Sequence, residues 1–357
     1  MNLFIYTASD IDETFLADWK NLLKSSLWTD PFLTPTWLSP CVSLYPGRYK
    51  LLVGYCNGTL VFLMPIETPC YGSIPICCIR LGGHISSEQQ RMGIVRSGEE
   101  LEIIVHALVS MFSNKNAARP VIGLDCLVGE DPLAIMLIKS ICSRGWKKVE
   151  HPGKESPYVK LESDFETYLK GVKRNVRREY LRRKRKIEHD LSVERMIISS
   201  GEEVSYWLPE IIRVEHNSWK KDTGLFCPKF RELSSRRLFA MAESGMLRVF
   251  LLLSDKQLIA YDIEFMFEGR LWSFSVSFDA EYRKYGPGID LQVEVIRYGF
   301  DQHIKAVELL GGSQSYKSAW AHATRERSSI YLFPCGIKSA VGPIFLNAFK
   351  SIRRNFG

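Results

Sequence analysis

The period of the apolar positions changes several times along this chain, and each change predicts an element. Residues 14–25 carry a helical spacing, and Asp30-Pro31-Phe32-Leu33-Thr34-Pro35-Thr36-Trp37 reads as an extended approach to a second helix. Two short apolar runs, 49–55 and 60–66, flank Asn57-Gly58, a strong hairpin signal. A helix over 100–112, a strand over 120–127, a helix over 132–144 and a strand ending near Leu161 follow. This first stretch reads as an α/β half of its own.

The second half begins at Ser163-x-x-Glu166, a capping box that opens a long helix with Phe165, Leu169, Val172, Val176, Tyr180 and Ile187 on one face. A helix over 202–219 sets Trp207, Ile211, Glu215 and Trp219 on one side. The polar stretch 220–228, with Gly224, reads as a mobile loop over a cleft, and 230–243 as a further helix. Runs 247–253 and 257–267 form a hairpin around Ser254-Asp255-Lys256, and 271–278 is a half-buried strand. Ile289, Val293, Ile296 and Phe300 then recur at helical spacing. Between strand and helix lies Arg283-Lys284-Tyr285-Gly286-Pro287-Gly288. A helix that starts just after glycines offers unpaired N–H groups and its positive dipole end to phosphate; read alone, the same residues also make a plain tight turn. A short strand, 306–310, a Gly311-Gly312 break, a helix from about Gln314 and a last strand, 329–333, complete the order.

Composition narrows the class. At 357 residues two cores are the default, and 46% apolar with 24% charged residues is ordinary for a globular protein. No apolar run reaches the ~18 residues of a membrane span. The N-terminus, with Asp10, Asp12 and Glu13 and no basic segment before an apolar core, is not a signal peptide. Nine cysteines, an odd number without paired metal spacing, fit free thiols in a reducing cytoplasm. Glu215-His216 lacks the second histidine of a zinc motif, so no metal is expected.

Charge singles out one helix. Residues 170–186 hold ten Lys/Arg and one acid, Glu179, a local +9 against +7 for the chain, so everything else sums to −2. Three readings stand: a solvated face on an interdomain connector, attraction of a polyanionic ligand such as a phosphorylated or nucleotide-linked acceptor, coenzyme A or anionic lipid, and binding of a tRNA acceptor arm. Against RNA, the one aromatic in the run, Tyr180, lies on the packing face. The tail, 336–357, could form a short basic helix that touches a membrane or a partner, or could dock back on the body.

Arg283-x-x-Gly286-x-Gly288 fits the loop with which GNAT acyltransferases hold the pyrophosphate of coenzyme A, and the flanking elements resemble that fold in order. With Gly311-Gly312-Ser313-Gln314-Ser315-Tyr316-Lys317-Ser318-Ala319-Trp320, the segment 282–291 resembles the GNAT branch named after the cellulose-biosynthesis protein CelD (BcsL). Its relatives include FemAB-type transferases, which take amino acids from aminoacyl-tRNA to cell-wall precursors. The resemblance implies an α/β (α+β) fold of two tandem GNAT-like domains, mixed central sheets flanked by helices, joined by a long basic helix. The expected boundaries are a degenerate GNAT-like domain at 1–162, a connector at 163–195, an acyltransferase domain at 196–335 and a tail at 336–357. The first half lacks a good pyrophosphate loop: in Gln90-Arg91-Met92-Gly93-Ile94-Val95 a valine replaces the last small residue. Its expected role is to shape the acceptor site, with Trp37, Arg80 and His84 as candidates beside core or surface roles.

The resemblance also implies a chemistry. Acetyl-CoA or another acyl-CoA is the co-substrate, and an amine or hydroxyl of a sugar, polysaccharide precursor or other small acceptor attacks the thioester directly. Backbone at Ser275, Ser277 and Phe278 would face the carbonyl; amides of Gly286, Gly288 and Ile289, with Arg283 and Lys284, would receive the pyrophosphate. Tyr316 holds the position of a GNAT general acid, with packing as its alternative; Lys317 is a ligand for an acceptor phosphate or a surface ion pair. Asp279 and Glu264 are candidate bases beside a water relay, and Trp219, Glu215 and Trp320 are candidates for the acceptor side. Aminoacyl-tRNA-dependent transfer and a non-catalytic accessory role in polysaccharide export are the other readings. No Gly-x-Ser-x-Gly elbow and no phosphate-binding Gly-x4-Gly-Lys-Ser/Thr loop occurs.

Overall fold

Asn57 and Gly58 take positive φ, 49° and 79°, and so do Asp255 and Lys256, 49° and 66°, closing two tight hairpins whose strands lie in two separate sheets. The computed structural model describes residues 1–68, 78–81, 91–114, 120–153, 155–310 and 315–334, without the side chains of residues 78, 315 and 316. Two compact units result, Met1–Lys154 with the segment from Glu326 onward, and Glu155–Arg325.

In the first unit, strands β1 (Asn2–Tyr6), β2 (Tyr49–Cys56), β3 (Thr59–Glu67), β4 (Cys78–Leu81), β6 (Val121–Val128), β15 (Arg327–Phe333) and β7 (Lys147–Pro152) lie in that order, with β5 (Ile94–Val95) on β3. Helices α1 (Glu13–Ser25), α2 (Pro35–Leu44), α3 (Gly98–Phe112) and α4 (Pro132–Cys142) flank the sheet. Its core joins Ile104 and Leu108 of α3 and Leu137 and Ile141 of α4 with Phe62, Met64, Ile122 and Leu124 of the sheet.

The second unit comprises β8 (Ser156–Lys160), α5 (Phe165–Gly171), α6 (Arg174–Asp190), β9 (Val193–Ile198), α7 (Gly201–His216), α8 (Arg231–Glu243), β10 (Leu247–Ser254), β11 (Gln257–Phe267), β12 (Arg270–Phe278), α9 (Pro287–Asp301), β13 (Ala306–Glu308), α10 (Ser315–Trp320) and β14 (Ala323–Arg325). Its sheet runs β14-β8-β13-β12-β11-β10-β9, and only β12–β13 is parallel. Val293 and Ile296 of α9 meet Tyr180 and Ile187 of α6 and Phe250, Leu252 and Leu271 of the sheet in one core.

Three expectations are corrected. The strand ending near Leu161 belongs to the second sheet, where β8 pairs with β13 and β14, and the last strand, β15, belongs to the first, between β6 and β7. Period identifies a strand but not its partner. The basic connector is two helices within the second unit: Val172 is extended and buried, so α5 stops at Gly171 and α6 starts afresh, and both reach the same core. The helix cap is Asp164, whose carboxylate accepts from the Thr167 N–H at 2.9 Å, in place of Ser163. The tail 336–357 lies outside the described residues.

Fully buried Glu308, on β13, accepts from Arg270 Nη1 of β12 at 2.5 Å and from Arg325 Nη2 of β14 at 2.8 Å. Removing one member of a buried ion cluster leaves the rest uncompensated. Glu308→Ala should therefore cost about 3 kcal/mol in urea unfolding, and a loss under about 1 kcal/mol would contradict this bracing role.

Candidate active site

β12 keeps a partner on both sides only at its start. It pairs with β13 at Arg270, Leu271 and Trp272, opposite Ala306, Val307 and Glu308, and there the parallel pairing ends. Its antiparallel pairing with β11 continues to Phe278, so from Ser273 to Phe278 no strand among the described residues ladders onto the other edge of β12. Alternate N–H and C=O groups along such an edge are open to another partner. The register with β11 slips by one between Ile263/Ser275 and Glu264/Ser273, a bulge at Phe274. Opposed residues share a face, so the bulge sets Ser273, Val276 and Phe278 of β12 together with Asp262 and Glu264 of β11.

The chain then turns through Asp279 to Gly286, where φ is +68°, and Pro287 takes the first position of α9. Positive φ favours glycine, and proline suits a helix start because its absent N–H had no partner there. The Gly286 carbonyl accepts from Ile289 N at 3.0 Å and Asp290 N at 3.2 Å, while Gly286 N donates to Arg283 O at 3.1 Å. Of the three amides expected to take phosphate, Gly286 and Ile289 are thus engaged within the turn, and Gly288 is the one these bonds leave. A side chain at 288 would lie 3.2 Å from Phe278, in the cradle between helix start and strand. A cavity of about 310 Å³ opens here, lined by Arg183, Trp219, Val276, Phe278, Arg283, Gly286, Gly288 and Ile289.

Beside the cavity-lining Val276, across the ladder, lies a pair of buried acids. Asp262 is 2% and Glu264 0% exposed, and among the described residues Asp262 Oδ1 and both Glu264 carboxyl oxygens lack a partner at hydrogen-bond geometry. Burial pushes the Asp262 carboxyl up to about 7, countered by the positive charges of Lys317 and Lys220. Burial, and then the Asp262 charge, hold Glu264 well above the usual carboxylate range. Two carboxyls so placed retain a proton between them near neutrality and can accept one from a third group. Lys317 Nζ donates to Leu309 O at 2.7 Å, and Lys220 Nζ to Ser275 Oγ at 3.3 Å.

An open strand edge, a Gly-Pro-Gly helix start and a cavity between them coincide with a family signature. Residues 174–318 match the acetyltransferase (GNAT) domain. No curated protein sequence matches the chain. Among solved structures it is similar to FemX (12% identity, 92% of this chain and 97% of that one, TM-score 0.59) and to L-PGS from Bacillus licheniformis (12%, 94% and 95%, 0.58). It is also similar to a tandem GNAT protein from the clavulanic acid biosynthesis pathway (13%, 94% and 100%, 0.50). These likenesses concern the fold, and the two mixed sheets with their helices have the arrangement of tandem GNAT-like domains.

Around the matched segment the expected site residues divide. Val276 and Phe278 carry the cavity wall, Ser275 and Ser277 are buried, and Glu264 has its place beside Asp262. Arg283 lines the cavity; Lys284 does not, and its Nζ lies over the Tyr285 ring at 5.0 Å. Trp219, 57% exposed, stands at the cavity and just beyond the end of α7. Lys317 is half-buried, and the Tyr316 side chain lies outside the described residues, as do Gly311 to Gln314.

Three candidates have structural duties instead. Asp279 accepts from Asn217 Nδ2 at 2.9 Å, Arg213 Nη1 at 3.3 Å and Glu281 N at 3.2 Å, which makes it a cap and an ion-pair partner rather than a free base. Glu215 accepts from Phe226 N at 2.5 Å, Leu225 N at 3.2 Å and the Tyr261 hydroxyl at 2.7 Å. It thereby ties down the 220–228 stretch read as mobile, where Phe226 and Cys227 are buried. Trp320 is core: its ring meets Tyr180 edge-on at 5.6 Å and its carbonyl accepts from the Tyr168 hydroxyl.

In the first unit, Trp37 is buried against Phe32, Arg80 lies between Glu67 and Asp125, and His84 is outside the described residues. The amides of Arg91 and Met92 donate to buried Asp30 and Asp131, so those two amides of the second glycine loop are engaged with protein carboxyls. Among the described residues no cluster of three His, Cys, Asp or Glu is placed to hold a metal.

Asp262 and Arg183 were missed in the sequence. The signal for the first was available, since two acids at i and i+2 in an apolar strand must share one buried face.

Because the folded protein retains a proton that the unfolded chain releases above about pH 4, these carboxyls should make stability fall as pH rises from about 4 to about 7. Asp262→Asn should flatten that slope, its denaturation free energy gaining on wild type by on the order of 2 kcal/mol between about pH 5 and pH 8. Parallel pH profiles for the two proteins would contradict the raised carboxyl.

Proposed function

We propose that the second unit is an acyl-CoA-dependent N- or O-acyltransferase whose acceptor is an amine or hydroxyl of a sugar, a polysaccharide precursor or a similar small molecule. The observation that carries the reading is the edge of β12 from Ser273 to Phe278, onto which no strand among the described residues ladders, opening beside the Gly286–Gly288 helix start. An acyl thioester bound there supplies an activated carbonyl, and the thiol is its leaving group. The Gly288 amide, the α9 dipole and the Arg183 and Arg283 guanidiniums fit a diphosphate, and the open edge fits the amide-bearing pantetheine arm. Backbone N–H groups of that edge polarise the carbonyl, and they are fixed before reaction by the ladder to β11.

The Asp262–Glu264 pair takes the proton of the attacking amine or hydroxyl, Tyr316 returns one to the departing sulfur, and Lys317 and Lys220 bias the pair toward its ionised form. Trp219 offers an exposed indole face to a ring on the acceptor side. No helix among the described residues is long and apolar enough to cross a membrane, and the proposed setting is the cytoplasm. Assignment to the CelD/BcsL branch, and with it polysaccharide biosynthesis, rests on the Pro-Gly loop and the later Gly-Gly…Tyr-Lys…Trp pattern. The exposed bases of α6 favour a second reading, transfer from aminoacyl-tRNA, which would show as activity lost on RNase treatment.

Acetyl-CoA or free coenzyme A at about 100 times its dissociation constant should stabilise the protein by about 2.7 kcal/mol in thermal denaturation. Gly288→Val, which fills the cradle against Phe278, should abolish that shift while the unliganded variant still unfolds cooperatively. A wild type that coenzyme A leaves unmoved would overturn the reading.

A further inference from the structure

The basic run 170–186, most of it on α6, carries ten bases and a single acid, Glu179, and the acid is where the structure is informative. Glu179 Oε1 accepts from Arg183 Nε at 2.6 Å, and its two oxygens take Arg182 Nη2 and Nε at 2.8 and 2.9 Å. Both arginines hold the Glu179 carboxyl down at about 2, so it stays ionised. Bound through Nε, Arg183 lays its Nη1 against the loop before α9. A methyl group placed on Gly286 would lie 2.6 Å from Arg183 Nη1 and 2.9 Å from its Cδ. Arg183 therefore forms part of the cavity wall, which Arg283 also lines. Of the other bases, Arg185 turns back to the Leu181 carbonyl, Arg177 caps the end of α5 through the Leu169 and Lys170 carbonyls, Lys184 pairs with Glu294, and Lys186 Nζ lies over the Tyr285 ring at 5.6 Å, outside the cavity lining.

We propose that α6 is an arm of the cofactor site, in which Glu179 orients Arg183 so that its guanidinium closes over Gly286 and, with Arg283, grips an organic diphosphate. This rests on the acyl-CoA reading and deepens it. Two amides of the loop are engaged within the turn, so a phosphate there needs donors from outside the loop, and a planar fork held at Nε presents two N–H groups together. Glycine at 286 serves the turn's positive φ and also leaves the space that Arg183 fills. Glu179 acts as a positioning residue and makes no contact with the ligand.

Orientation and bulk charge predict opposite results for one variant. Calorimetric titration with coenzyme A, ADP and inorganic pyrophosphate into the full chain distinguishes them. Arg183→Ala should weaken coenzyme A and ADP by about tenfold or more, the scale of one charge-assisted hydrogen bond, and Arg183→Lys should fall between. Arg185→Ala, equal in charge change, should shift affinity by less than about twofold at physiological salt. Glu179→Ala makes the helix more positive yet should weaken binding several-fold, whereas Glu179→Gln, which still accepts from Nε, should restore most of it. Tighter binding by Glu179→Ala, or unchanged binding by Arg183→Ala, overturns the arm. A wild type that binds none of the three probes overturns the acyl-CoA reading itself, which is a separate result.

Discussion

A backbone edge left without a partner is the constraint on which the second unit depends. Buried N–H and C=O groups must be satisfied, and strands ordinarily meet that demand by pairing on both sides. Here, among the described residues, β12 is laddered on both sides for three residues and then on one side only, because β13 stops at Glu308. That stop is braced: Glu308 binds arginines of β12 and β14, and beyond it Leu309 N donates to Pro157 O of β8. Past the stop, β13's chain follows β8 rather than β12, and the notch remains for whatever else can pair with a strand.

The chemistry gathers around the notch because each group has a structural reason to be there. The bulge at Phe274 brings Ser273 onto the face of Val276 and Phe278, opposite the two acids of β11. Those acids carry the cost of burial as raised pKa values, a cost that a purely structural strand would avoid with apolar residues. Such expense at a cavity is the pattern of a functional site. Gly286 and Pro287 bring the positive end of α9 to the same place, and α6 adds a guanidinium from another element.

The sequence was most legible where local physics decides the outcome. Asn57-Gly58 and Asp255-Lys256 named their hairpins, and Ile289, Val293, Ile296 and Phe300 named α9 with its loop. It was least legible where distant partners decide. Nothing in the period of residues 329–333 says that this strand leaves the second sheet for the first, or that β8 does the reverse. Side-chain roles followed the same division. Glu215 and Asp279 looked like free acids on a helix and at a strand end, yet backbone amides and an arginine from far along the chain occupy them. Trp320 looked like a ligand platform and is core, since Tyr180 and Tyr168 reach it from α6 and α5. Arg183 could not be told from its nine basic neighbours without knowing which turn of α6 meets Gly286.

The most direct test of the account is a crystal structure of the protein with coenzyme A. The account predicts the pantetheine arm laid against the unpaired edge between Ser273 and Phe278, with the diphosphate at Gly288. Coenzyme A bound elsewhere, or a β12 edge closed by protein so that no arm enters, would contradict it.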